Sequence, residues 1–314
     1  MKKTLALGLG ILFLVFAISG LGFAKGKKPW KVPGHFATIQ AAIDSANVVD
    51  GDVILVGPGF FAGAFVTKAV TIKGIGNAVI NFGPLHSSGM VQGFRFLSGG
   101  SGASILNLRF EVDLAIMNGA SVNDITVSQC AFMNCVQGVS NWGGTGWEIT
   151  HNEIIDLRTR TGGGIGILVA DRAGNPAGVN DNIISHNAIS GTLHVSSYPS
   201  EGGYNGSGIV LYADFRYGWP GAVEIAHNKI AKNTISMISD TPGVVDIAAI
   251  ELTDTRDDST ILPPVLHDNA VGFNDLRGTV LQIVLTPAIL DQYNNISRNF
   301  GENRGHGLHP KVFK

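Results

Sequence analysis

The sequence predicts an all-β solenoid, in which the chain winds into stacked coils of short parallel strands. Three observations favour this fold: one short phrase recurs along the chain, a second strand-like phrase recurs between its copies, and the composition suits strands. With 42 Gly and 15% charged residues, the chain fits short strands and tight turns better than amphipathic helices. A recurrence of about 20–25 residues, with loops of variable length, is typical of a β-solenoid.

The first phrase reads aliphatic, two residues, Asn, one residue, aliphatic. Its copies are Ile149-Asn152-Ile154, Ile184-Asn187-Ile189, Ile225-Asn228-Ile230 and Leu266-Asn269-Val271, with weaker copies at Val127-Cys130-Phe132 and Ile296-Asn299. Asn tolerates a left-handed backbone, and its amide can bond the equivalent Asn one coil away, about 4.8 Å along the axis. We therefore predict a structural ladder of stacked Asn side chains at one corner.

The second phrase predicts one strand in each later coil. It occurs as GIGILV (164–169), GSGIVL (206–211), IAAIEL (247–252) and LQIVL (281–285). Its alternation has the period of a strand with one buried face. We predict that Ile167, Ile209 and Ile250 point inward. The outward row then contains Leu168, Val210 and Glu251, with Ala170, Tyr212 and Thr253 beside it.

The first residues predict a secretory signal peptide, residues 1–24. Lys2 and Lys3 precede an apolar run from Leu5 to Phe16, and Gly22 and Ala24 supply small residues before a cleavage point. An uncleaved membrane anchor is the alternative. No later run approaches the ~18 apolar residues that span a bilayer. We expect a secreted, periplasmic or cell-envelope protein with no stable membrane insertion after cleavage.

The segment FATIQAAIDSA (residues 36–46) predicts a short helix, with Thr38 as N-cap and Ile39 and Ile43 facing inward. The strand-like strings DGDVILVGPGFF and AVTIKGIG follow it. Together with the ladders, these motifs resemble the pectin lyase-like superfamily of right-handed parallel β-helices, from about Val32 to Arg304.

The resemblance implies one single-stranded right-handed parallel β-helix (solenoid) domain, residues 25–304, with a short N-terminal capping helix. Residues 305–314 are expected to form a poorly ordered C-terminal tail. The resemblance specifies no activity, because this fold hosts lyases, hydrolases, esterases, epimerases and binding proteins.

Charge and cysteine content exclude some partners and leave one question open. Removing Lys2 and Lys3 leaves 20 basic and 24 acidic side chains, so electrostatics gives no reason to expect nucleic acid. Cys130 and Cys135 could form a disulfide in an oxidising compartment. A four-residue gap within a strand holds the Cα atoms too far apart, which favours buried free thiols.

A strip of acids and arginines follows the second-phrase strands. Each Asp is followed within two residues by an Arg: Asp171 and Arg172, Asp214 and Arg216, Asp254 and Arg256. Stacked coils would bring these side chains together. The candidate catalytic residues are Asp214, Asp254 and Arg216, which could supply general acid and base. The candidate substrate-binding residues are Glu251, Tyr212, Trp219, Arg172 and Arg256.

The acids Asp171, Asp214 and Asp254 are also the candidate metal ligands, because grouped carboxylates could hold a cation such as Ca²⁺. Ca²⁺ is the one cofactor that the sequence suggests. The alternative is structural: each Asp–Arg pair neutralises itself at a turn.

The string DFRYG, from Asp214, is similar to the Asp-Phe-x-Phe-Gly motif of pectinesterases, which implies Asp214 as a nucleophile. The Gln-Asp general-acid motif of that family has no counterpart in NAISGTLHVSS, and its Gly-Arg-Pro-Trp segment is absent. These departures weaken an esterase assignment.

Two further groups of side chains could bind a ligand. His151, His186 and His227 precede Asn residues of the first phrase and could bind a metal if they faced one way; a stacked, partly exposed corner is the alternative. Aromatic residues lie in or beside the loops, where flat rings suit stacking on sugars: Trp142, Trp147, Tyr204, Tyr212, Tyr217 and Trp219.

The leading functional hypothesis is that the protein binds or processes a polysaccharide or cell-surface glycan, acidic ones included, along its outer groove. If it is an enzyme, it is a polysaccharide lyase, glycoside hydrolase or carbohydrate esterase. The alternative is a non-catalytic envelope or surface protein that serves as an interaction platform.

Overall fold

The computed structural model describes residues 28–160, 163–195, 206–216, 219–256, 263–301 and 304–306. The predicted signal peptide, Tyr204, Tyr217 and the tail beyond His306 lie outside these residues. Within them, no helix is long and apolar enough to cross a bilayer.

The described elements are short strands and two helices, α1 (Ile39–Asp44) and α2 (Leu290–Tyr293). In chain order the strands are β1 (Trp30–Val32), β2 (Val53–Val56), β3 (Gly59–Ala62), β4 (Ala64–Val66), β5 (Thr71–Gly74), β6 (Ala78–Phe82), β7 (Gln92–Phe96), β8 (Ser104–Leu106), β9 (Arg109–Phe110), β10 (Leu114–Asn118), β11 (Thr126–Ser128), β12 (Ala131–Cys135), β13 (Gln137–Trp142), β14 (Glu148–Thr150), β15 (Glu153–Arg158), β16 (Ile165–Asp171), β17 (Ile183–Ser185), β18 (Ala188–His194), β19 (Gly206–Ala213), β20 (Ile225–Ala226), β21 (Lys229–Ala231), β22 (Thr234–Ser239), β23 (Ile247–Asp254), β24 (Leu266–His267), β25 (Ala270–Gly272), β26 (Leu281–Thr286), β27 (Asn295–Ser297) and β28 (Arg304–His306).

These strands form three long parallel sheets. Sheet A runs β1-β2-β5-β8-β11-β14-β17-β21-β25-β27, sheet B runs β3-β6-β9-β12-β15-β18-β22, and sheet C runs β4-β7-β10-β13-β16-β19-β23-β26-β28; β20 and β24 form a fourth, two-stranded sheet. Because successive coils add parallel strands to these sheets in turn, the chain is a right-handed parallel β-helix, as predicted. Strand β28 includes residues 305 and 306, which the sequence placed in the tail.

The core is the space enclosed by the three sheets. In sheet C, Ile167, Ile209, Ile250 and Ile283 are in register in consecutive coils and are fully buried, which confirms the inward row. Earlier coils fill the core with aromatic rings. Phe110 stacks on Phe132 at 5.1 Å and meets Phe94 edge-on at 5.6 Å.

Helix α1 caps the first coil. The Oγ1 of Thr38 accepts a hydrogen bond from the N–H of Ala41 at 3.0 Å, which confirms the predicted N-cap. Ile39 and Ile43 are fully buried. The Oε1 of Gln40 accepts from the N–H of Phe65 at 2.8 Å, at the unpaired edge of strand β4. The helix therefore covers the open end of the solenoid, as predicted.

The Asn residues form two ladders, not the single one that the sequence predicts. The first Asn ladder contains Asn141, Asn182, Asn228, Asn269 and Asn294; the second contains Asn152, Asn187, Asn233, Asn274 and Asn299. Within each, the Nδ2 of one Asn donates to the Oδ1 of the next at 2.8 to 3.1 Å.

The two ladders flank the strands of sheet A. In a complete coil, one Asn precedes a three-residue strand and the other follows it by two residues, as Asn182 and Asn187 flank β17. The phrase therefore matches each coil twice, once at each ladder. The sequence comparison paired Asn187 of the second ladder with Asn228 of the first, and so it combined two different ladders into one. Cys130 occupies the second ladder, because its N–H donates to the Oδ1 of Asn152 at 3.0 Å.

Candidate functional site

The outer face of sheet C carries most of the predicted site. The predicted outward row is in register through eight strands: Phe65, Arg95, Met117, Ser140, Leu168, Val210, Glu251 and Val284. A second outward row contains Trp142, Ala170, Tyr212, Thr253 and Thr286. The alternation read from the sequence is therefore confirmed in register.

Part of this face is covered, so the outward row is not exposed along its whole length. Leu168 and Val210 are 2% exposed, and they pack with Ala170, Trp142 and Tyr212 on the outside of the sheet. A second outer cluster joins Met90 of the loop 83–91 to Leu114 and Met117 of β10 and to Val136, which immediately precedes β13. The loops therefore leave a restricted surface for a ligand.

The three acids of the predicted strip lie at the ends of β16, β19 and β23, but they do not stack directly. The register places Ala213 between Asp171 and Asp254, so these two acids are two coils apart, roughly 10 Å. Asp214 lies one residue further along. All three side chains are buried, with exposures of 1% to 3%.

Two of these acids bind the arginine that follows them. The carboxylate of Asp214 accepts from the backbone N–H, Nε and Nη2 of Arg216 at 3.1, 3.0 and 3.2 Å. Asp254 accepts from the backbone N–H and Nε of Arg256 at 3.0 and 2.9 Å, and from its Nη2. These carboxylates close turns, the arrangement that the structural alternative predicts.

Asp171 differs from the other two acids. Its oxygens accept from the backbone N–H groups of Ala173 and Asn175, each at 2.9 Å. Arg172, its sequence neighbour, points instead to two aromatic rings. The Cζ of Arg172 lies 4.7 Å from the ring centroid of Trp142 and 4.5 Å from that of Trp219. This guanidinium is therefore placed by cation–π contacts.

The other two arginines of the strip also contact rings. The Cζ of Arg216 lies 5.4 Å from the centroid of Tyr212, and that of Arg256 lies 4.2 Å from the centroid of Phe215. Consecutive coils thus hold aromatic rings against arginines at one end of the outer face. Trp219 remains 38% exposed, and Trp142 and Tyr212 are partly exposed.

Glu251 is the acid with the perturbed environment. Its two carboxyl oxygens accept from the hydroxyl of Ser207, in a short hydrogen bond of 2.5 Å, and from that of Thr253 at 2.6 Å. In register, Val210 and Val284 lie on either side of it. Burial raises the pKa of Glu251, although both hydroxyl donors favour the ionised form. A carboxyl with a raised pKa can act as a general acid.

The metal predictions find no support in the geometry. Across the described ranges, no group of three or more His, Cys, Asp or Glu side chains is arranged to hold a metal ion. His151 and His186 stack in parallel at 4.8 Å. His227 belongs to another corner, because the N–H of Asp181 donates to the carbonyl of Ala226 and places His227 beside Asp181. The three imidazoles therefore do not converge.

The sequence interpretation missed Arg95 and His86. Arg95 lies in β7 and belongs to the same outward row as Glu251; the alternation of QGFRF would have identified it. Its Nε is buried and has no hydrogen-bond partner among the described residues. His86, in the loop 83–91, has a pKa lowered by burial and by the nearby Arg95 and Arg172. The outer face thus carries the charges of Arg95 and Arg172 near an imidazole whose protonation they disfavour.

No protein-family model matches the chain. A cell surface glycoprotein of Methanothermus fervidus is 31% identical over 107 residues, which span 31% of this chain and 18% of the relative's length. Among solved structures, the catalytic domain of a GH87 alpha-1,3-glucanase, in complex with tetrasaccharides, is 14% identical with a TM-score of 0.36, over 89% of this chain and 67% of that one. The A-module of an Azotobacter vinelandii mannuronan C-5 epimerase is 11% identical with a TM-score of 0.27, over 86% and 93%.

Proposed function

We propose that this protein binds a polysaccharide along the outer face of sheet C, outside the cytoplasm. The observation that carries the proposal is the set of rings Trp142, Tyr212 and Trp219 at one end of that face. Trp142 and Tyr212 share an outward row two coils apart, roughly 10 Å. Trp219 lies beside the coil between them, because Arg172 contacts its ring.

Rings held in place suit a repeating ligand. Arginines contact each of these rings, which restricts their rotation before a ligand arrives and lowers the entropy lost on binding. Flat apolar surfaces surrounded by a few polar groups are typical of ligand sites. A polymer that follows the solenoid axis would meet such a surface in successive coils.

The predicted signal peptide supports action outside the cytoplasm, and so does the resemblance of one stretch to a cell surface glycoprotein. The interaction-platform hypothesis makes the same localisation prediction. The two hypotheses differ in the ligand, which is a glycan in the first and a protein in the second.

Chemical processing of the glycan is a second candidate function, and Glu251 favours it. Its raised pKa suits proton donation to a leaving oxygen. Glycoside hydrolysis also needs a second carboxylate. Asp214 and Asp254 are already bonded to Arg216 and Arg256, so binding without cleavage is the simpler proposal.

Retention in native gels that contain a polysaccharide tests the binding proposal. Residues 25–314 are run against neutral and acidic polysaccharides, together with Trp219→Ala and Tyr212→Ala. Each variant should bind at least about tenfold more weakly, equivalent to about 1.4 kcal/mol. The matched control is Phe60→Ala, which removes an exposed ring from sheet B.

Two results would contradict binding on this face: no retention by any polysaccharide, or equal retention of the Trp219, Tyr212 and Phe60 variants. Reducing-end and unsaturated-product assays on the retained polymer test processing. Product formation that Glu251→Gln abolishes would support catalysis, whereas retention without product supports binding alone.

A further inference from the structure

Most arginines in the described residues have a carboxylate partner, and two on the outer face of sheet C do not. The paired ones are Arg109, Arg158, Arg160, Arg216, Arg256 and Arg277. Arg298 lies over the exposed ring of Phe273. Arg95 and Arg172 have no carboxylate partner within the described ranges. Both are in or next to the aromatic surface proposed above.

The guanidinium of Arg95 lies in a space that a glycine keeps open. A Cβ on Gly119 would overlap the Nε of Arg95 and would lie 2.8 Å from its Nη2. Gly119 follows β10, the strand next to that of Arg95 in sheet C. The side chain of Arg95 therefore extends across the sheet towards Trp142 and Arg172. A buried donor without an acceptor is unfavourable, and an ionised ligand would supply that acceptor.

The two arginines lie beside the same ring. The guanidinium of Arg95 lies against Gly119, the preceding Asn118 bonds the backbone of Trp142 through its side chain, and Arg172 lies over the Trp142 ring.

The pKa of His86 responds to both charges. Burial lowers its pKa first, and the charges of Arg95 and Arg172 lower it further. Its Nδ1 lies 2.8 Å from the hydroxyl of Ser88 and 3.3 Å from the backbone N–H of the same residue, so contacts within the loop 83–91 hold the ring. The lowered pKa keeps the imidazole uncharged near the two guanidinium groups.

We infer that Arg95 and Arg172, with His86 beside them, form a subsite for an oxyanion substituent of a glycan, a carboxylate or a sulfate. Guanidinium groups donate paired N–H bonds to such oxyanions. The ring contacts of Arg172 place the anion next to Trp142 and Trp219. The inference rests on the proposed function, since those rings would hold the sugar that carries the charge.

Isothermal titration of the mature chain tests the subsite. The probes are a uronate oligosaccharide, a sulfated oligosaccharide, a neutral gluco-oligosaccharide and inorganic sulfate alone. Wild type should bind at least one acidic oligosaccharide at least tenfold more tightly than the neutral one. Whichever acidic oligosaccharide, uronate or sulfated, shows the larger gain in affinity over the neutral one identifies the group that is recognised.

Three variants locate the effect. Arg95→Gln should remove the tenfold preference and leave neutral binding unchanged. Gly119→Ala should weaken acidic binding with Arg95 still present, because the added methyl displaces the guanidinium. Arg109→Gln, which removes a paired arginine on sheet B, should change nothing. The ring signals of His86 in NMR spectra should shift with sulfate in wild type and not in Arg95→Gln.

The failures of the two proposals are distinguishable. If neutral oligosaccharide binds but Arg95→Gln and Arg109→Gln bind acidic ligands as wild type does, the subsite is overturned and the glycan proposal stands. If sulfate perturbs His86 through Arg95 but no oligosaccharide binds, the anion site stands and the glycan proposal fails.

Discussion

The side-chain carbonyl of Asn187 accepts two hydrogen bonds from Asn152, 35 residues earlier. One comes from the backbone N–H of Asn152 at 3.0 Å and the other from its Nδ2 at 2.9 Å. Asn187 in turn donates its own Nδ2 to Asn233 and to the carbonyl of Ile149, each at 2.9 Å. A buried amide is thus fully bonded, and the same unit repeats along the axis.

Asn187→Asp should therefore be severely destabilising. The new oxygen would face two acceptors, Asn233 Oδ1 and Ile149 O, and the charge would be buried. Leaving such groups unpaired costs about 1–3 kcal/mol each, so we expect a loss of roughly 3–5 kcal/mol in denaturant unfolding. The exposed Asn81→Asp in β6 is the control. Equal midpoints for the two variants would contradict the ladder's role.

The fold was predictable from the sequence because a solenoid repeats one burial pattern in every coil. The row from Ile167 to Ile283 was visible as an alternation, and residue identity alone located the N-cap Thr38. The ladder register was not predictable from the phrase alone, since Asn182 and Asn187 fit it equally well. Only the backbone pairing distinguishes the two positions.

The site was less predictable because its chemistry depends on which charges find partners. The sequence shows three Asp–Arg pairs, and nothing in it reveals that Arg172 binds rings while Arg216 and Arg256 bind their acids. The alternation of QGFRF places Arg95 in the outward row, but its missing acceptor and the space above Gly119 are three-dimensional properties that the sequence does not show.

Cys130→Asn should stabilise the protein. The thiol lies 3.6 Å from the carbonyl of Ile105. Each Asn of the second ladder donates to the equivalent carbonyl of the preceding coil. The backbone of Leu108 also hydrogen-bonds the Cys130 sulfur. An amide would extend the ladder by one coil. We expect the free energy of unfolding to increase by about 1 kcal/mol, which calorimetry would record as a rise of roughly 2–4 °C in Tm.

The matched control for that change is Cys135→Asn, which should have the opposite sign. Cys135 is fully buried within the hydrophobic core cluster and outside both ladders. An unpartnered amide there is unfavourable by about 1–3 kcal/mol. A lower Tm for Cys130→Asn, or a shift of the same sign in both variants, would contradict the ladder explanation.

Both thiols should be inert in the native protein. Cys130 and Cys135 are free and buried, and burial raises the pKa of each to about 12. Since the thiolate is the reactive form, a thiol reagent at pH 8 should titrate no cysteine in buffer. It should titrate two in guanidinium chloride. Fast labelling without denaturant, or no labelling with it, would contradict this burial.

Glu251 should make stability fall as pH rises. Its folded-state pKa is raised, so the native state binds the proton more tightly than the unfolded chain. The contribution of Glu251 is therefore fully present below its unfolded pKa and is lost as pH rises through its folded pKa. Glu251→Gln should show a smaller decline in Tm across this range than wild type. Glu153→Gln, exposed on β15, should follow the wild-type curve; parallel curves for all three proteins would contradict the assignment.

Asp254 should act as an anchor of the loops, not as a catalytic or calcium-binding acid. It holds the guanidinium of Arg256, which lies 4.2 Å from the Phe215 ring, and the N–H of Phe215 donates to Thr255 at 2.8 Å. Asp254→Asn leaves Arg256 without its counter-charge, and we expect the free energy of unfolding to fall by about 2–4 kcal/mol.

The double variant Asp254→Asn, Arg256→Gln separates an anchor from a ligand site, because removing both charges should restore part of the stability. Millimolar calcium should leave the Tm of wild type and of both variants unchanged, since a bound cation would raise it by mass action. A calcium-dependent rise in wild type that Asp254→Asn abolishes would instead establish the cation site. A wild-type Tm for Asp254→Asn, together with lost glycan binding, would return Asp254 to the binding surface.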